Sequence, residues 1–477
     1  MAGCGLALAL LRAFQALGPE ALPRLGEASI DGRVLAFAMA AALASGLAAG
    51  LAALRSPRGL EALGGARSTA RPRAWLRGAL VTAQIAVSLV LLAGAGLLLR
   101  SLWNLEAVPL GMNASHVLTA SFSLGRQRYA DPARQLAFFT ELERHLAALP
   151  GAEAVAITDS LPPTGGTRAR PLATIEIEGR PRRPEGTGGM VAWRYVTPGY
   201  FAALGIPIRR GRGFTEADRA PGAYSIVLSE TLARQMFPHE DPLGRHVLRL
   251  PEENGWFTVI GIAADVRDRG PAEAGLAEYY VVRKPAPDVT WNQQEPPMGW
   301  RSAFALVRTP LDPRAASAEL RRTLAGIDPT LPVNIATMSG RLEGITGRPR
   351  FYASLLGAFA AIGVLLAAIG LFGVISFLVE QGRREIGVRM ALGATPRDVL
   401  RHVLGQALRW TLAGMALGIP AALATARLLR SLLFRVAPFD PGALIAAAVL
   451  LAAVAILAAA APAWRAARLD PAAALRE

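Results

Sequence analysis

The sequence has almost no lysine. Of the 51 lysine and arginine residues in the 477-residue chain, only Lys284 is a lysine, and it lies in the stretch Val-Val-Arg-Lys-Pro rather than after a glycine-rich turn. A P-loop needs a lysine after its glycines to reach the β- and γ-phosphates of a nucleotide. The sequence therefore predicts that this chain is not an ATPase, and the same absence argues against a kinase or a Schiff-base enzyme.

Cysteine is also scarce, because Cys4 is the only one. A single cysteine excludes an internal disulfide and a cysteine-based zinc cluster. The three residues before it are too few for the apolar signal of a lipoprotein. We interpret Cys4 as a small residue within a helix.

Residues that could carry chemistry are equally few. The five histidines lack a paired metal-ligand spacing such as HExxH. Ser160, which follows Asp159, lacks the flanking glycines of a nucleophile elbow. Asp265 follows an apolar run, where a turn-capping carboxylate is commoner than a catalytic one. The sequence thus predicts no catalytic, cofactor-binding or metal-binding residue, and a protein that is not an enzyme.

Long uncharged runs, by contrast, are abundant. Apolar residues make up 52% of the chain, and the mean hydropathy of +0.33 exceeds that of a typical soluble protein. About 20 apolar residues form a helix that crosses a hydrocarbon core of about 30 Å. We predict five such spans, at residues 34–54, 79–99, 352–379, 410–426 and 442–464. Glycines in the third span predict close approach of a neighbouring helix, at Gly357, Gly363, Gly370 and Gly373.

Arginine in the short loops predicts the orientation of these helices. Residues 55–77 carry six arginines against one acid, Glu61, and residues 380–409 and 465–477 are also rich in arginine. Because positive loops stay in the cytoplasm, these segments are predicted to lie inside and residues 100–351 outside. Topology then accounts for the net charge of +15, which argues against nucleic acid as a partner. We expect a multi-pass protein of the bacterial inner membrane with a large periplasmic domain.

A repeat links the two ends of the chain. Residues 31–63 and 440–475 share an Asp at the start, an apolar span, two arginines at the same spacing and a final Ala-Leu. This pattern predicts a duplicated membrane unit with its first copy cut short. Residues 1–78 would be the remnant of that copy, comprising a cut helix at 1–11, the span at 34–54 and a cytoplasmic linker. Residues 352–464 would form the second membrane unit, with a cytoplasmic loop at 380–409 and a cytoplasmic tail at 465–477.

The segment between the membrane units has the composition of a soluble domain. Asp131-Pro132 and Asp312-Pro313 predict helix starts, because each pairs an N-cap with proline at the first helical position. Alternating or apolar runs predict strands at residues 173–177, 225–228, 257–262 and 304–307. The expected fold is an α-helical transmembrane protein with a large α+β extracytoplasmic domain of two lobes. One lobe, at about 191–285, is inserted into the other, and the proline-rich segment 285–297 leads back.

Two sets of motifs resemble one family. Residues 383–394, with the sequence RREIGVRMALGA, look like the cytoplasmic signature of FtsX-type permeases. Further motifs resemble the periplasmic domain of MacB/FtsX-type permeases of ABC transporters, at residues 196–201, 204–207, 210–212, 229–230, 233–234, 237–238, 241–245, 259–262 and 265–267. The similarity covers essentially the whole chain, and its order resembles the duplicated permeases of that family, here incomplete at the N-terminus.

The resemblance implies a permease that dimerises, engages a separate cytoplasmic ATPase subunit and moves its outer domain in response. It implies mechanotransmission rather than a substrate pore through the helices, and no cofactor. Residues 384–403 are helix-forming sequence broken by Gly393 and Pro396, so a short helix there is suited to dock on the ATPase. The predicted contact residues are Glu385, Ile386, Gly387, Arg389, Leu392, Gly393 and Ala394.

We therefore expect an export-type permease subunit that expels a peptide, lipid, lipoprotein or drug from the periplasmic side. It would act in the membrane lipid as a homodimer or beside a second permease. One alternative is a membrane regulator that switches a periplasmic cell-wall hydrolase, as some FtsX relatives do. The other is a non-functional gene fragment.

Overall fold

The computed structural model describes residues 31–54, 71–163, 168–249, 255–284, 302–437 and 439–468, together with residues 5, 8 and 12. Most of the predicted cut helix, the linker from 55 to 70, the proline-rich segment and the tail beyond 468 lie outside these residues. The chain divides into two compact units. Residues 1–105 and 346–477 form one, here called the membrane unit, and residues 106–345 form the other, here called the outer unit.

Four of the described α-helices lie between strands of the outer unit, and the others precede the first described strand or follow the last. The α-helices are α1 (Gly32–Leu54), α2 (Arg71–Glu106), α3 (Pro132–Ala147), α4 (Tyr200–Leu204), α5 (Glu230–Met236), α6 (Pro313–Ile327), α7 (Met338–Gln381), α8 (Arg383–Ala391), α9 (Pro396–Leu428) and α10 (Pro441–Ala467). The strands are β1 (Val117–Ser123), β2 (Ala154–Thr158), β3 (Arg168–Pro171), β4 (Met190–Val196), β5 (Ile208–Gly211), β6 (Ser225–Ser229), β7 (His246–Arg249), β8 (Trp256–Ala263), β9 (Ala277–Val282), β10 (Ser302–Arg308) and β11 (Val333–Thr337).

Within the described residues, four helices are long and apolar enough to cross a membrane. They cover Gly78–Glu106, Met338–Gln381, Pro396–Leu432 and Pro441–Ala467. Each contains one of the predicted spans but is longer, because hydropathy marks only the part suited to lipid while caps and turns decide where a helix ends. The predicted span at 34–54 falls in α1, and its crossing of the membrane stays a prediction.

Small residues allow the membrane helices to pack closely. A Cβ added at Gly363 would lie 3.2 Å from the Ser88 hydroxyl oxygen of α2, and one at Gly370 would lie 2.3 Å from the Gln84 side-chain oxygen. At Gly357 and Gly373, by contrast, the space is open. The expectation that all four glycines mark close approach is therefore wrong for two of them, since a glycine pattern does not say which face of a helix meets its neighbour.

A second pair of glycines was not singled out from the sequence. A Cβ at Gly414 of α9 would lie 2.7 Å from the Ile85 side chain and 2.9 Å from the Thr82 carbonyl oxygen of α2. A Cβ at Gly418 would lie 3.0 Å from the Ala86 carbonyl oxygen. The four-residue spacing places both glycines on one face, so α2 and α9 approach backbone to backbone.

Within the residues that the structure describes, the outer unit is built on one eleven-stranded mixed sheet. Its order is β11-β1-β10-β2-β4-β9-β6-β8-β5, with β3 on β4 and β7 on β8. The sequence flanks supply β1, β2, β10 and β11, whereas β3 to β9 come from the intervening chain. These two strand groups join at a single residue pair, Thr158 with Val196. The inserted segment predicted at about 191–285 begins too late, because β3 at Arg168–Pro171 pairs along β4 and belongs with the insert.

The predicted strand at 173–177 is wrong. Residues Leu172–Thr174 form a 3-10 turn, and Ile177 makes only an isolated bridge with Val247. Ile175 and Ile177 are nevertheless buried in the same apolar cluster. The alternation of apolar and polar residues correctly predicted which side chains face the core. A strand, however, also needs a neighbouring strand that pairs along its length.

The two predicted helix starts are present. Asp131 accepts a hydrogen bond from the Ala133 amide at 2.9 Å, and Asp312 accepts from the Arg314 amide at 2.9 Å. The helices that follow, α3 and α6, cover the flank strands through an apolar cluster that includes Leu142. Burying one such leucine completely stabilises the fold by roughly 1.5–3 kcal/mol relative to leaving it exposed.

Candidate partner-docking surface

Helix α8 lies between two of the membrane helices and is separated from each by a short break. It begins after Gly382 and ends at Ala391, and a turn over residues 392–395 leads into α9. Gly393 in this turn has φ of +103°, a conformation that favours glycine. Thr395 and Asp398 form a capping box, and Pro396 takes the first helical position of α9. The interruption predicted at Gly393 and Pro396 is therefore present.

Backbone hydrogen bonds close the turn. The Leu392 amide donates to the Val388 carbonyl at 3.0 Å, and the Ala394 amide donates to the Arg389 carbonyl at 3.0 Å. These bonds satisfy carbonyls at the end of α8 that would otherwise lack partners. The turn is thus a defined structure that holds Leu392 at the tip of the helix.

One face of α8 packs into the membrane unit. Ile386 and Met390 contact the apolar cluster formed by residues that include Ile375 of α7 and Val403 of α9. Gly387 is buried on the same side. This packing seats α8 on the two helices that it connects.

The opposite face of α8 is exposed. Leu392 has 83% of its surface exposed and Val388 has 41%. Glu385 and Arg389 form an ion pair at 2.5 Å across one helical turn on the exposed side. We call Glu385, Val388, Arg389 and Leu392 the docking face. It combines two exposed apolar side chains with a paired charge, a composition suited to protein contact.

The structure divides the seven predicted contact residues. Glu385, Arg389, Leu392 and Gly393 are exposed, whereas Ile386 and Gly387 face inward and Ala394 is half-buried. Val388 was missed, although its position three residues after Glu385 and four before Leu392 marks the same helical face. A sequence motif consists of consecutive residues, whereas in a helix only the residues on the exposed face are accessible to a partner.

A buried ionic cluster lies where the two strand groups of the outer unit meet. Arg194 of β4 donates a hydrogen bond to Glu278 of β9, and the two side chains are 0% and 1% exposed. The Tyr280 hydroxyl donates to Glu278 at 2.8 Å. Asp159, at the end of β2, accepts from the Tyr195 amide at 3.1 Å. The cluster thus joins β4 to β9 within the insert and, through Asp159, to the end of β2.

Burial shifts the pKa values of this cluster. It raises the pKa of Asp159 by more than Arg168, paired with that carboxylate at 3.1 Å, lowers it. It lowers the pKa of Arg283 to about 10. Burial alone would also lower the pKa of Arg194, but the adjacent Glu278 raises it above its usual value, so the guanidinium stays charged.

Asp159 and Asp265, whose sequence contexts do not favour catalysis, each make structural contacts. Asp159 and Ser160 are both buried at the strand junction. Asp265 accepts hydrogen bonds from the Thr231 amide at 2.8 Å and the Thr231 hydroxyl at 2.7 Å, which anchors the start of α5. Among the residues that the structure describes, there is no group of three or more His, Cys, Asp or Glu that could hold a metal ion.

Comparison with known proteins identifies both units. The FtsX-like permease C-terminal model matches residues 357–471, and the MacB-like periplasmic core domain model matches residues 85–323, half of the chain. The chain belongs to the MacB/FtsX-type permeases. It is accordingly a membrane protein with an extracytoplasmic α+β domain, as the resemblance of its motifs predicted. The cytoplasmic position of the docking face stays a prediction from the arginine-rich loops.

The curated relatives are longer than this chain. It is 28% identical over 279 residues to the pyoverdine export ATP-binding/permease protein PvdT of Pseudomonas syringae pv. tomato, which covers 57% of this chain and 41% of that protein. It is 29% identical over 286 residues to the macrolide export ATP-binding/permease protein MacB of Escherichia coli K12, which covers 59% and 42%. The chain thus spans about two fifths of the length of these relatives.

Solved structures resemble the chain over about half its length. The periplasmic region of MacB from Actinobacillus actinomycetemcomitans is 15% identical, with a TM-score of 0.33, covering 49% of this chain and 94% of that one. The extracellular domain of the transporter YknZ from Gram-positive bacteria is 17% identical, with a TM-score of 0.28, covering 46% and 99%.

Proposed function

We propose that this chain is the permease subunit of an export-type ABC system of the bacterial inner membrane. A separate cytoplasmic ATPase subunit binds the docking face, and its ATP-driven movement is passed through the membrane helices to the periplasmic domain. The chain works as a homodimer or beside a second permease. The observation that carries the proposal is the docking face itself, an exposed patch that lies within the FtsX match.

The chemistry of the docking face supports a protein partner. Leu392 projects from the tip of α8 with 83% of its surface uncovered, and covering such an apolar side chain with a partner is favourable in water. A few buried anchors carry most of the binding energy of an interface, and surrounding polar groups orient it. Leu392 and Val388 are suited to be such anchors, with the Glu385–Arg389 pair at their edge.

The seat of α8 supports a mechanical role. Ile386 and Met390 bury the inner face of α8 between α7 and α9, so a partner that pulls on Leu392 moves packed helices rather than a loose loop. Helix α7 begins at Met338, within the outer unit that ends at residue 345, and continues into the membrane unit to Gln381. Movement at α8 therefore has a continuous helical connection to the extracytoplasmic domain.

A capture experiment tests the proposal. The detergent-solubilised chain would be purified from its own cells, and the retained proteins identified by mass spectrometry and by photolabelling with an azido-ATP. We expect an ATP-binding subunit to be retained. Its retention should fall about tenfold in Leu392→Ala, and the double variant Glu385→Arg/Gly393→Trp should abolish it.

A matched control separates docking from general damage. Leu428 is 82% exposed, nearly the same as Leu392, but lies at the end of α9 that is farthest from the docking face. Leu428→Ala should retain the ATP-binding subunit at the wild-type level. If wild type retains no such subunit, the proposal is overturned. Recovery of a periplasmic hydrolase by crosslinking to the outer unit would favour the regulator instead, and absence of a stable membrane-inserted product would favour a gene fragment.

A further inference from the structure

The segment between α9 and α10 contacts the C-terminal end of α2. Three polar side chains of α2 contact this segment, at positions 100, 101 and 104, which lie on one side of the helix. Their partners, at positions 434, 435 and 440, are more than 300 residues away in the chain. We call the three α2 residues, Arg100, Ser101 and Asn104, the clamp.

Asp440 has two tasks in this contact. One carboxylate oxygen accepts from the Gly442 amide at 2.9 Å and so caps α10. The other accepts from the Arg100 guanidinium. Only 9% of the Asp440 side chain is exposed, so both oxygens need partners. The same carboxylate thus starts α10 and joins it to α2.

The other clamp residues bind the backbone of the segment. The Phe434 amide donates to the Ser101 hydroxyl oxygen at 2.7 Å, and the Asn104 side-chain amide donates to the Arg435 carbonyl at 3.2 Å. Ser101 is buried, beside an apolar cluster that contains Leu102 of α2. The cluster also includes Leu433, the residue just before Phe434. Polar and apolar contacts therefore act at the same place.

We propose that the clamp makes α2 and the α9–α10 segment move together, which makes Arg100 and Asp440 positioning residues for the transmission of movement. Helix α9 begins beside the docking face and, with 33 residues, rises about 50 Å to the clamped segment. Helix α2 runs from the clamp to Glu106, the first residue of the outer unit. The clamp thus gives α9 a second connection to the extracytoplasmic domain, besides α7. This inference rests on the proposed function and deepens it.

Asp440→Asn separates the two tasks of Asp440. Asparagine caps a helix about as well as aspartate, so the start of α10 is kept while the ion pair with Arg100 is lost. The control is Asp312→Asn in the outer unit, where the aspartate caps α6 by the same Asp-Pro arrangement. Thermal unfolding of both variants in detergent should stay close to wild type, which shows that they fold.

The readout is the change in distance between two spin labels when ATP is added to the chain with its captured ATP-binding subunit. The labels replace exposed Leu311 and Leu428 as cysteines in a Cys4→Ser background. In Asp440→Asn we expect this change to fall to less than half of the wild-type value, while capture of the subunit and its ATP hydrolysis continue. Asp312→Asn should respond as wild type does.

Ser101 provides an independent arm. Ser101→Ala removes the acceptor for the Phe434 amide, so hydrogen exchange at Phe434 should quicken about tenfold and the labelled distance change should shrink. Ser101→Thr keeps the hydroxyl and should restore both. If wild type captures no ATP-binding subunit, the proposed function fails and the clamp loses its task. If capture succeeds but Asp440→Asn and Ser101→Ala both move as wild type does, only the clamp is overturned.

Discussion

The two units of this protein differ in where an ion pair lies, because one pair is buried inside the outer unit and the other is near the ends of membrane helices. In the outer unit, the Arg194–Glu278 pair lies fully buried within the sheet. In the membrane unit, α2 and α9 meet through glycines such as Gly414, and the Arg100–Asp440 pair lies at the end of the helices. In water, burial of apolar surface drives folding and can offset the desolvation of an ion pair. In lipid that driving force between helices is absent, so close contact of small residues takes its place.

The largest effect should come from breaking the buried pair. Glu278→Ala leaves the Arg194 guanidinium charged and without its carboxylate in the interior, which costs about 3–5 kcal/mol of stability. Unfolding of the full chain in detergent, followed by near-ultraviolet circular dichroism, measures it. The control is Glu240→Ala, which removes a solvent-exposed partner of Arg180 and should cost no more than about 1 kcal/mol. Equal losses in the two variants would contradict the importance of burial.

Overpacking of the membrane unit should come next. Gly414→Ala places a methyl group 2.7 Å from the Ile85 side chain and 2.9 Å from a backbone oxygen that cannot move aside easily. We expect a loss of about 1–3 kcal/mol in thermal or denaturant unfolding in detergent. Gly373→Ala is the matched control, because nothing lies within 4 Å of its new methyl group. That control should be neutral or stabilise α7 by up to about 1 kcal/mol.

Asp218 of the outer unit should give a pH-dependent effect of about 1.5–3 kcal/mol. Burial alone would raise its pKa, but hydrogen bonds from Arg212, Ser225 and Thr215 hold the pKa well below its ordinary value of 3.8. A lowered pKa in the folded state means that the stabilisation is complete above pH 3.8 and is lost as the pH falls further. Asp218→Asn should therefore destabilise the protein at pH 7, and the deficit should shrink below pH 3.8. A pH-independent deficit would contradict this.

Asp159 should show a smaller effect of the opposite sign. Burial raises its pKa above the ordinary 3.8, so the folded state holds its proton more tightly than the unfolded state and stability falls as the pH rises from 3.8 through the folded value. Asp159→Asn keeps the acceptor for the Tyr195 amide and removes the titration. The free energy of unfolding of the variant minus that of wild type should therefore be larger at pH 7 than at pH 4. Unfolding measured at both values tests it, and a difference that does not change with pH would sink the idea.

Local signals were read correctly from the sequence. Asp131 and Asp312 cap the helices they were expected to cap, and Gly393 with Pro396 interrupts the helix where predicted. These features succeed because the residue and its hydrogen-bond partner are neighbours in the chain. The four apolar spans within α2, α7, α9 and α10 were predictable for a similar reason, since length and hydropathy alone decide whether a helix can cross a membrane.

Contacts between distant residues were not predictable. Arg194 and Glu278 are 84 residues apart, and Arg100 and Asp440 are 340 apart. A single sequence does not predict either pair, because an arginine or an acid in an apolar segment gives no indication of which distant residue it will contact. The failed strand at 173–177 has the same origin, because pairing along a strand depends on segments that are distant in the chain.

The sequence by itself determined that the chain enters a membrane, which side its large domain occupies, and which family it resembles, because hydropathy, loop charge and short motifs are properties of neighbouring residues. The tertiary structure alone decided which face of α8 is open to a partner, where glycine permits helices to touch, and which charges pair. Those outcomes depend on segments brought together from opposite ends of the chain. They follow from packing, which requires each buried side chain to have specific neighbours.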